Sequence, residues 1–129
     1  MLKQAGHEVA LWQLCDDIEP LPSEEQFIQR LQQESADIVG FSVVTNQWPY
    51  AKKLAAWARK ATNAPLVCGG IHTMAAAEEI LRSQVFDFII RGEAEEALAE
   101  FVDRLSKNQD HADVANLGFI QNGALRLNP

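Results

Sequence analysis

The 129-residue sequence is poor in cysteine, with only Cys15 and Cys68, far apart along the chain. No CxxC or CxxxCxxC motif occurs, which excludes a zinc knuckle or an iron–sulfur cluster built from this chain alone. Both cysteines border apolar runs. We therefore expect two reduced, buried thiols, as in cytosolic proteins, rather than a disulfide or a metal pair.

Basic residues are also scarce and scattered. The chain has 11 Lys and Arg against 18 Asp and Glu, a net charge of -7, and a pI near 4.8. Nucleic-acid binding needs clustered cations that can neutralise phosphates, so this composition argues against a nucleic-acid partner. No apolar run approaches the length of a membrane span, and the amino end lacks a signal-peptide layout. We expect a cytoplasmic protein without a membrane span.

The usual signatures of self-sufficient catalysis are missing too. No glycine-rich phosphate loop follows a first strand, which argues against a flavodoxin-like reductase. No Ser–His–Asp or Cys–His pairing has a supporting context, which argues against nucleophilic catalysis. The acidic cluster of Glu93, Glu95 and Glu96 is explained by the first turn of a helix, where the helix dipole favours carboxylates.

What the sequence does contain is a regular alternation of apolar strands and amphipathic helices. Its length suits one domain with a real core. Alternating strands and helices predict an α/β fold, with a parallel sheet covered by helices on both faces. The predicted segments are the end of a helix over residues 1–5, a strand over 7–15, a helix from the Ser23/Gln26 capping box, a strand over 37–45 covered on both faces, a helix from Pro49 to Ala61, a strand ending at Gly69, a helix over 75–83, a strand over 86–90 and a helix after Gly92.

The tail, residues 114–129, has a different pattern. Two short apolar runs flank Asn122-Gly123, and Asn-Gly between alternating apolar runs is a strong β-hairpin signal. We therefore predict a C-terminal β-hairpin after the alternating part of the chain.

The most informative stretch is Leu66 to Thr73, where a short apolar strand stops at Gly69 and Gly70. A turn without side chains lets a ligand or another backbone approach closely. In open α/β sheets, ligands bind at the carboxyl ends of the strands. The same two glycines are also compatible with nothing more than a tight strand–helix turn.

Four segments, in this order and at these intervals, resemble the cobalamin-binding domain at the amino end of many radical S-adenosylmethionine (radical SAM) enzymes. The resemblance covers residues 2 to about 127. Family members usually have a glycine where Ala94 stands. The segments that carry it are Ala5-Gly6-His7-Glu8-Val9, Asp37-Ile38-Val39-Gly40-Phe41-Ser42, Gly69-Gly70-Ile71-His72-Thr73 and Arg91-Gly92-Glu93-Ala94-Glu95.

The resemblance implies a three-layer α/β/α flavodoxin-like (Rossmann-like) fold, with the corrin over the carboxyl edge of the sheet. It implies that residues 1–129 form a cobalamin-binding module, not catalytic by itself, of a longer radical SAM enzyme. The parent would be a methyltransferase or a relative of the magnesium-protoporphyrin IX monomethyl ester oxidative cyclase. The iron–sulfur cluster and S-adenosylmethionine would belong to a downstream radical SAM domain.

The resemblance also assigns site residues. Ser42 matches the serine that hydrogen-bonds the buried nucleotide base, although a satisfied structural hydroxyl is the plainer interpretation. His72 is a polar rim residue in this assignment, with cobalt ligation as the less favoured alternative. The cofactor-binding set consists of Ser42, Val44 and Thr45, the turn residues Gly69, Gly70, Ile71 and His72, and the loop residues Gly92 and Glu93.

Two departures from the family pattern have consequences. The Asp-x-His-x-x-Gly motif, whose histidine binds cobalt in related domains, is absent, so cobalt is expected to have no protein histidine ligand. The family's first strand is also absent, which would leave two strand edges unpaired. We expect the tail hairpin or a second copy of the chain, by dimerisation or domain swapping, to fill this gap. The alternative function is an assembly module that has lost the cofactor and dimerises through these edges.

Overall fold

The structure, a computed structural model, describes residues 22–43, 47–70, 72–92 and 95–129. The expected helix end at residues 1–5, the strand over 7–15 and Cys15 lie outside the described residues. The elements, in chain order, are α1 (Glu24–Glu34), β1 (Val39–Ser42), α2 (Trp48–Ala61), β2 (Leu66–Gly69), α3 (His72–Arg82), β3 (Phe88–Ile90), α4 (Glu95–Ser106), β4 (Leu117–Gln121) and β5 (Ala124–Leu127).

The five described strands form one sheet in the order β1-β2-β3-β4-β5. The first three strands are parallel, with Ser42 opposite Gly69 in β2 and Cys68 opposite Ile89 in β3. The tail forms the predicted hairpin, but β4 pairs antiparallel with β3. The expectation that the hairpin closes the gap beside β1 is therefore wrong.

Gly118 explains why the hairpin docks on β3. A Cβ at this position would lie 2.7 Å from side-chain atoms of both Ile89 and Leu127. Glycine at this point of β4 lets the side chains of the two neighbouring strands meet over it. A larger residue would force them apart, because a packed interior has no spare volume.

The helices begin where local sequence signals place them, with one exception. In α1 the Ser23 side chain accepts from the Gln26 backbone and the Gln26 side chain accepts from the Ser23 backbone, which confirms the capping box. Pro49 occupies the first turn of α2. The helix predicted from Ala75 instead begins at His72 as α3, with a kink at Ala76.

Two apolar clusters, one on each face of the sheet, confirm the three-layer α/β fold. The first lies between the sheet and α1–α3 and includes Phe27, Leu54, Ile80, Cys68 and Ile89. The second lies between the sheet and α4 and includes Val67, Ile90, Ala97, Phe101 and Leu117. No described helix is long and apolar enough to span a bilayer.

The strand β1 is covered on one face only by the residues that the structure describes. Val39 and Phe41 pack against the first cluster, whereas Gly40 and Ser42 on the opposite face are exposed. The prediction that this strand is buried on both faces is therefore wrong for the described part of the chain. The reason is that α4, which covers this face of the sheet, packs over β2 and β3 through residues such as Val67 and Ile90.

Candidate functional site

Three strand ends converge at the carboxyl edge of the sheet, where the described residues of the predicted site lie. The Val43 amide donates to the Gly69 carbonyl at 2.9 Å, and the His72 amide donates to the Val43 carbonyl at 3.2 Å. A Cβ on Gly69 would lie 4.0 Å from the Ile90 carbonyl oxygen. The ends of β1, β2 and β3 are therefore held together, and Gly92 lies two residues after the end of β3.

The two glycines after β2 have different structural roles. Gly70 has a φ of +96°, and a Cβ there would lie 2.5 Å from the Val43 carbonyl oxygen. Both features require glycine. A Cβ would clash with the backbone of Val43, and L residues rarely adopt this φ. At Gly69 a Cβ would make only ordinary contacts, the nearest at 3.9 Å. Gly70 is thus required by the turn, whereas Gly69 leaves space that the described residues do not fill.

Small residues line the uncovered face beside this turn. Gly40, Ser42 and Gly69 lie on the same face of the sheet, because Gly40 and Ser42 are two residues apart and Ser42 is in register with Gly69. A Cβ on Gly40 would have no described atom within 4 Å. We call these three residues the small-residue face. It is a flat, side-chain-poor surface with one hydroxyl at its carboxyl end.

Thr73 stabilises the strand ends, although residue patterns did not single it out as a site residue. Its side chain is fully buried, and its hydroxyl lies 2.7 Å from the Gly70 carbonyl and 3.3 Å from the Ile90 carbonyl. One hydroxyl therefore links the β2 turn to the end of β3. The available signal was a threonine in the first turn of a helix, a position where hydroxyls commonly bond to nearby backbone.

His72 is not a solvent-facing rim residue. Its side chain is only 4% exposed, and its ring lies 5.1 Å from that of Trp48. The sequence pattern placed His72 in an open loop, but α3 begins at this residue and turns the ring inward. Burial beside Trp48 makes His72 part of the packing beneath the turn.

Gly92 and Met74 form the surface at the end of β3. Gly92 has a φ of +70°, and a Cβ on it would lie 3.8 Å from the Met74 sulfur. Met74 is 64% exposed. The exposed, apolar side chain of Met74 therefore lies beside Gly92, which was predicted to contact a cofactor. The remaining predicted site residues, Val44, Thr45, Ile71 and Glu93, lie outside the described residues.

The edge offers no cluster of metal ligands within the described part of the chain. Cys68, in β2 just before the glycines, is a free thiol with no exposed surface. Burial raises its pKa to about 12, because a thiolate is poorly solvated in an apolar interior. Cys68 is therefore an inert packing residue, as the sequence predicted.

An open concavity of about 470 Å³ lies at the opposite end of the sheet, by the amino ends of β2 and β3. Arg59 and Asp87, joined at 2.7 Å, form part of its wall. His111 is half-buried there, with its ring 5.2 Å from each of Phe88 and Phe101. This concavity is remote from the described residues of the predicted site. The opposite charges of Arg59 and Asp87 in its wall balance each other.

The B12 binding domain family matches residues 1–102. An uncharacterized methyltransferase of Pyrococcus horikoshii is 33% identical over 95 residues, which cover 72% of this chain and 21% of that protein.

Two solved structures share the fold. One is the radical S-adenosylmethionine methyltransferase TsrM of Kitasatospora setae, with tryptophan substrate and a SAM analog bound. The match covers 98% of this chain and 25% of the TsrM chain, with a TM-score of 0.86 and 18% identity. The cobalamin-dependent S-adenosylmethionine radical enzyme OxsB, with aqua-cobalamin bound, matches 82% of this chain and 15% of its own, with a TM-score of 0.71 and 19% identity.

This chain therefore spans between about a sixth and a quarter of each of these larger proteins. The family match covers well over half of the chain and includes the β2 glycine turn and the end of β3. The likeness to the two solved structures, at 18% and 19% identity, shows a shared fold. On these grounds the chain belongs to the B12-binding domain family.

Proposed function

We propose that this chain holds cobalamin, with the corrin over the carboxyl edge of the sheet and the nucleotide tail against the small-residue face. The tail carries a flat, largely apolar benzimidazole. Such a group needs a surface without protruding side chains and a few fixed polar atoms at its rim. The observation that carries the proposal is the open, flat strip of Gly40, Ser42 and Gly69 beside the strand ends.

Ser42 is the polar group of this strip. It is exposed on the same face as Gly40, at the point where β1 ends. In the proposed complex its hydroxyl bonds the edge of the nucleotide base, and Gly69 gives the tail room to pass. Gly70 and Thr73 act indirectly, because they hold the β2 turn to β1 and β3.

We further propose that the protein provides no histidine ligand to cobalt. Among the described residues, His72 is buried against Trp48, and His111 lies at the opposite end of the sheet. Cobalamin supplies a cobalt centre that carries a methyl group or an electron. If the cofactor is bound, the residues of this chain would hold and orient the corrin.

The following domain is proposed to be a radical SAM domain with its own cluster and S-adenosylmethionine. The matched proteins are several times longer than this chain. The parent enzyme would be a methyltransferase or an oxidative cyclase. The similarity to an uncharacterized methyltransferase of Pyrococcus horikoshii favours methyl transfer.

Equilibrium dialysis against cobalamin and against cobinamide, a corrin without the nucleotide tail, tests the proposal. Gly40→Val places a branched side chain on the small-residue face and should weaken cobalamin binding about tenfold or more, while cobinamide binding stays unchanged. Ala124→Val is the matched control, an equally exposed strand position in β5.

Two results would reject this function. One is the absence of binding to either corrin, measured on the wild-type chain together with the domain that follows it. The other is a Gly40→Val protein that binds cobalamin as tightly as Ala124→Val does, which would place the tail elsewhere.

A further inference from the structure

A buried amide near the end of the chain connects the hairpin to the proposed site. Asn128 is 8% exposed. Its side-chain NH₂ donates to the Ala112 carbonyl at 2.7 Å and to the Val114 carbonyl at 2.8 Å. Its backbone amide donates to the Leu117 carbonyl at 2.9 Å. Both side-chain N–H groups are therefore used, and their loss would leave two carbonyls without these donors.

The same residue reaches the end of β3 through Arg91. The Arg91 guanidinium donates from Nη2 to the main-chain carbonyl of Asn128 at 2.8 Å. The Arg91 backbone amide donates to the main-chain carbonyl of Asn116 at 3.0 Å. Two separate hydrogen bonds thus fix the residue that precedes Gly92. One acceptor, the Asn116 carbonyl, belongs to the segment that Asn128 orders. The other acceptor is the main-chain carbonyl of Asn128 itself.

The residue that follows Arg91 is Gly92, whose backbone has few steric constraints of its own. Gly92 is exposed and has a φ of +70°, a conformation that glycine enters and leaves at little cost. In the proposed complex Gly92 lies at the cofactor rim, and a backbone with few steric constraints weakens affinity unless the protein has ordered it before binding. The bonds to Arg91 supply that order from outside the turn.

From these contacts we propose that Asn128 is a positioning residue for the cofactor rim. It orders the segment from Ala112 to Asn116 and presents its carbonyl to Arg91, so that the turn at Gly92 is set before cobalamin binds. The affinity part of this inference rests on the proposed function. The ordering of the turn does not.

The first measurement therefore uses the protein without any corrin. In Asn128→Ala the amide of Arg91 should exchange its hydrogen about fivefold or more faster by NMR. The Val43 amide, which donates to Gly69 between β1 and β2, should keep its rate. Equal acceleration at both amides would mean general destabilisation and would overturn the inference, as would no acceleration at Arg91.

The second measurement compares the two corrins. Because the rim contacts the ring rather than the tail, Asn128→Ala should weaken cobalamin and cobinamide binding by the same factor, about fivefold. This differs from Gly40→Val, which affects cobalamin alone. A loss confined to cobalamin would assign Asn128 to the tail slot and contradict the proposal.

Arg91→Ala guards against an Asn128 variant that folds poorly. It removes the guanidinium bond while the Asn128 contacts to Ala112 and Val114 remain, and it should weaken both corrins to a similar extent. Gln121→Ala, exposed in β4, is the control and should bind as the wild type does. A wild type that binds no corrin rejects the proposed function, whereas the exchange rate at Arg91 still decides whether Asn128 orders the turn.

Discussion

Gly70 is under a strict conformational constraint at the carboxyl edge of the sheet. Its positive φ and the Val43 backbone atoms beside it leave no room for a Cβ. Its carbonyl accepts from the Thr73 backbone amide at 3.1 Å and from the Thr73 hydroxyl at 2.7 Å. The turn therefore depends on glycine for its shape and on Thr73 for its fixation, whether or not a ligand is bound.

Gly70→Ala should lower the free energy of unfolding by about 3 kcal/mol, from the strained φ and the clash with Val43. Urea denaturation followed by circular dichroism measures this change. Gly69→Ala is the matched control and should change stability by less than about 1 kcal/mol, because its Cβ would make only ordinary contacts. Equal losses in the two variants would contradict this assignment of roles.

At the scale of elements, α1 shows how a local signal starts a helix that tertiary contacts then fix. The Ser23/Gln26 capping box satisfies amide groups at the amino end. Phe27 and Leu31 bury one side of the helix against the first apolar cluster. Lys60 of α2 contacts Glu24 at 2.5 Å, but this pair is exposed and contributes little.

Ser23→Ala should therefore cost about 1 kcal/mol of folding free energy, the usual value of a lost N-cap. Chemical denaturation of the two proteins side by side gives the difference. Ser35→Ala, at the other end of α1, should have little effect because its hydroxyl makes only a 3.5 Å contact with the Gln32 carbonyl. A smaller loss for Ser23→Ala than for Ser35→Ala would show that the capping box does not stabilise α1.

At the scale of the whole molecule, the two edges of the described sheet differ. The hairpin extends the sheet beyond β3, and β5 forms that edge. On the other side, none of the strands that the structure describes pairs with the outer edge of β1. Unpaired backbone groups on an edge strand favour pairing with another chain. We therefore expect the isolated chain to self-associate through β1.

Sedimentation velocity over a range of concentrations should accordingly show a reversible dimer of the isolated chain. Gly40→Lys should weaken it, because a charge on an edge strand disfavours strand pairing. Ala124→Lys, the same change in β5, should leave it intact. A monomer at every concentration, or equal effects of the two lysines, would exclude β1 as the dimer edge.

Much of the fold and part of the site could be predicted from residue patterns, because those features depend on neighbours in sequence. Ser23 and Gln26 interact three residues apart, and Asn122-Gly123 forms a turn that any pair of strands would use. The turn at Gly69 and Gly70 was visible for the same reason. Roles that depend on long-range contacts were not visible, such as the burial of His72 and the bonds of Asn128.

The sequence by itself therefore determined the α/β alternation, the hairpin and the glycine turn at the carboxyl edge. Only the tertiary structure decided which strand the hairpin joins, because Gly118 meets Ile89 and Leu127 across the sheet. It also decided that the face of Gly40 and Ser42 is open, since α4 packs over β2 and β3. Residue patterns show which face of a strand is apolar, but packing between distant elements decides what covers it.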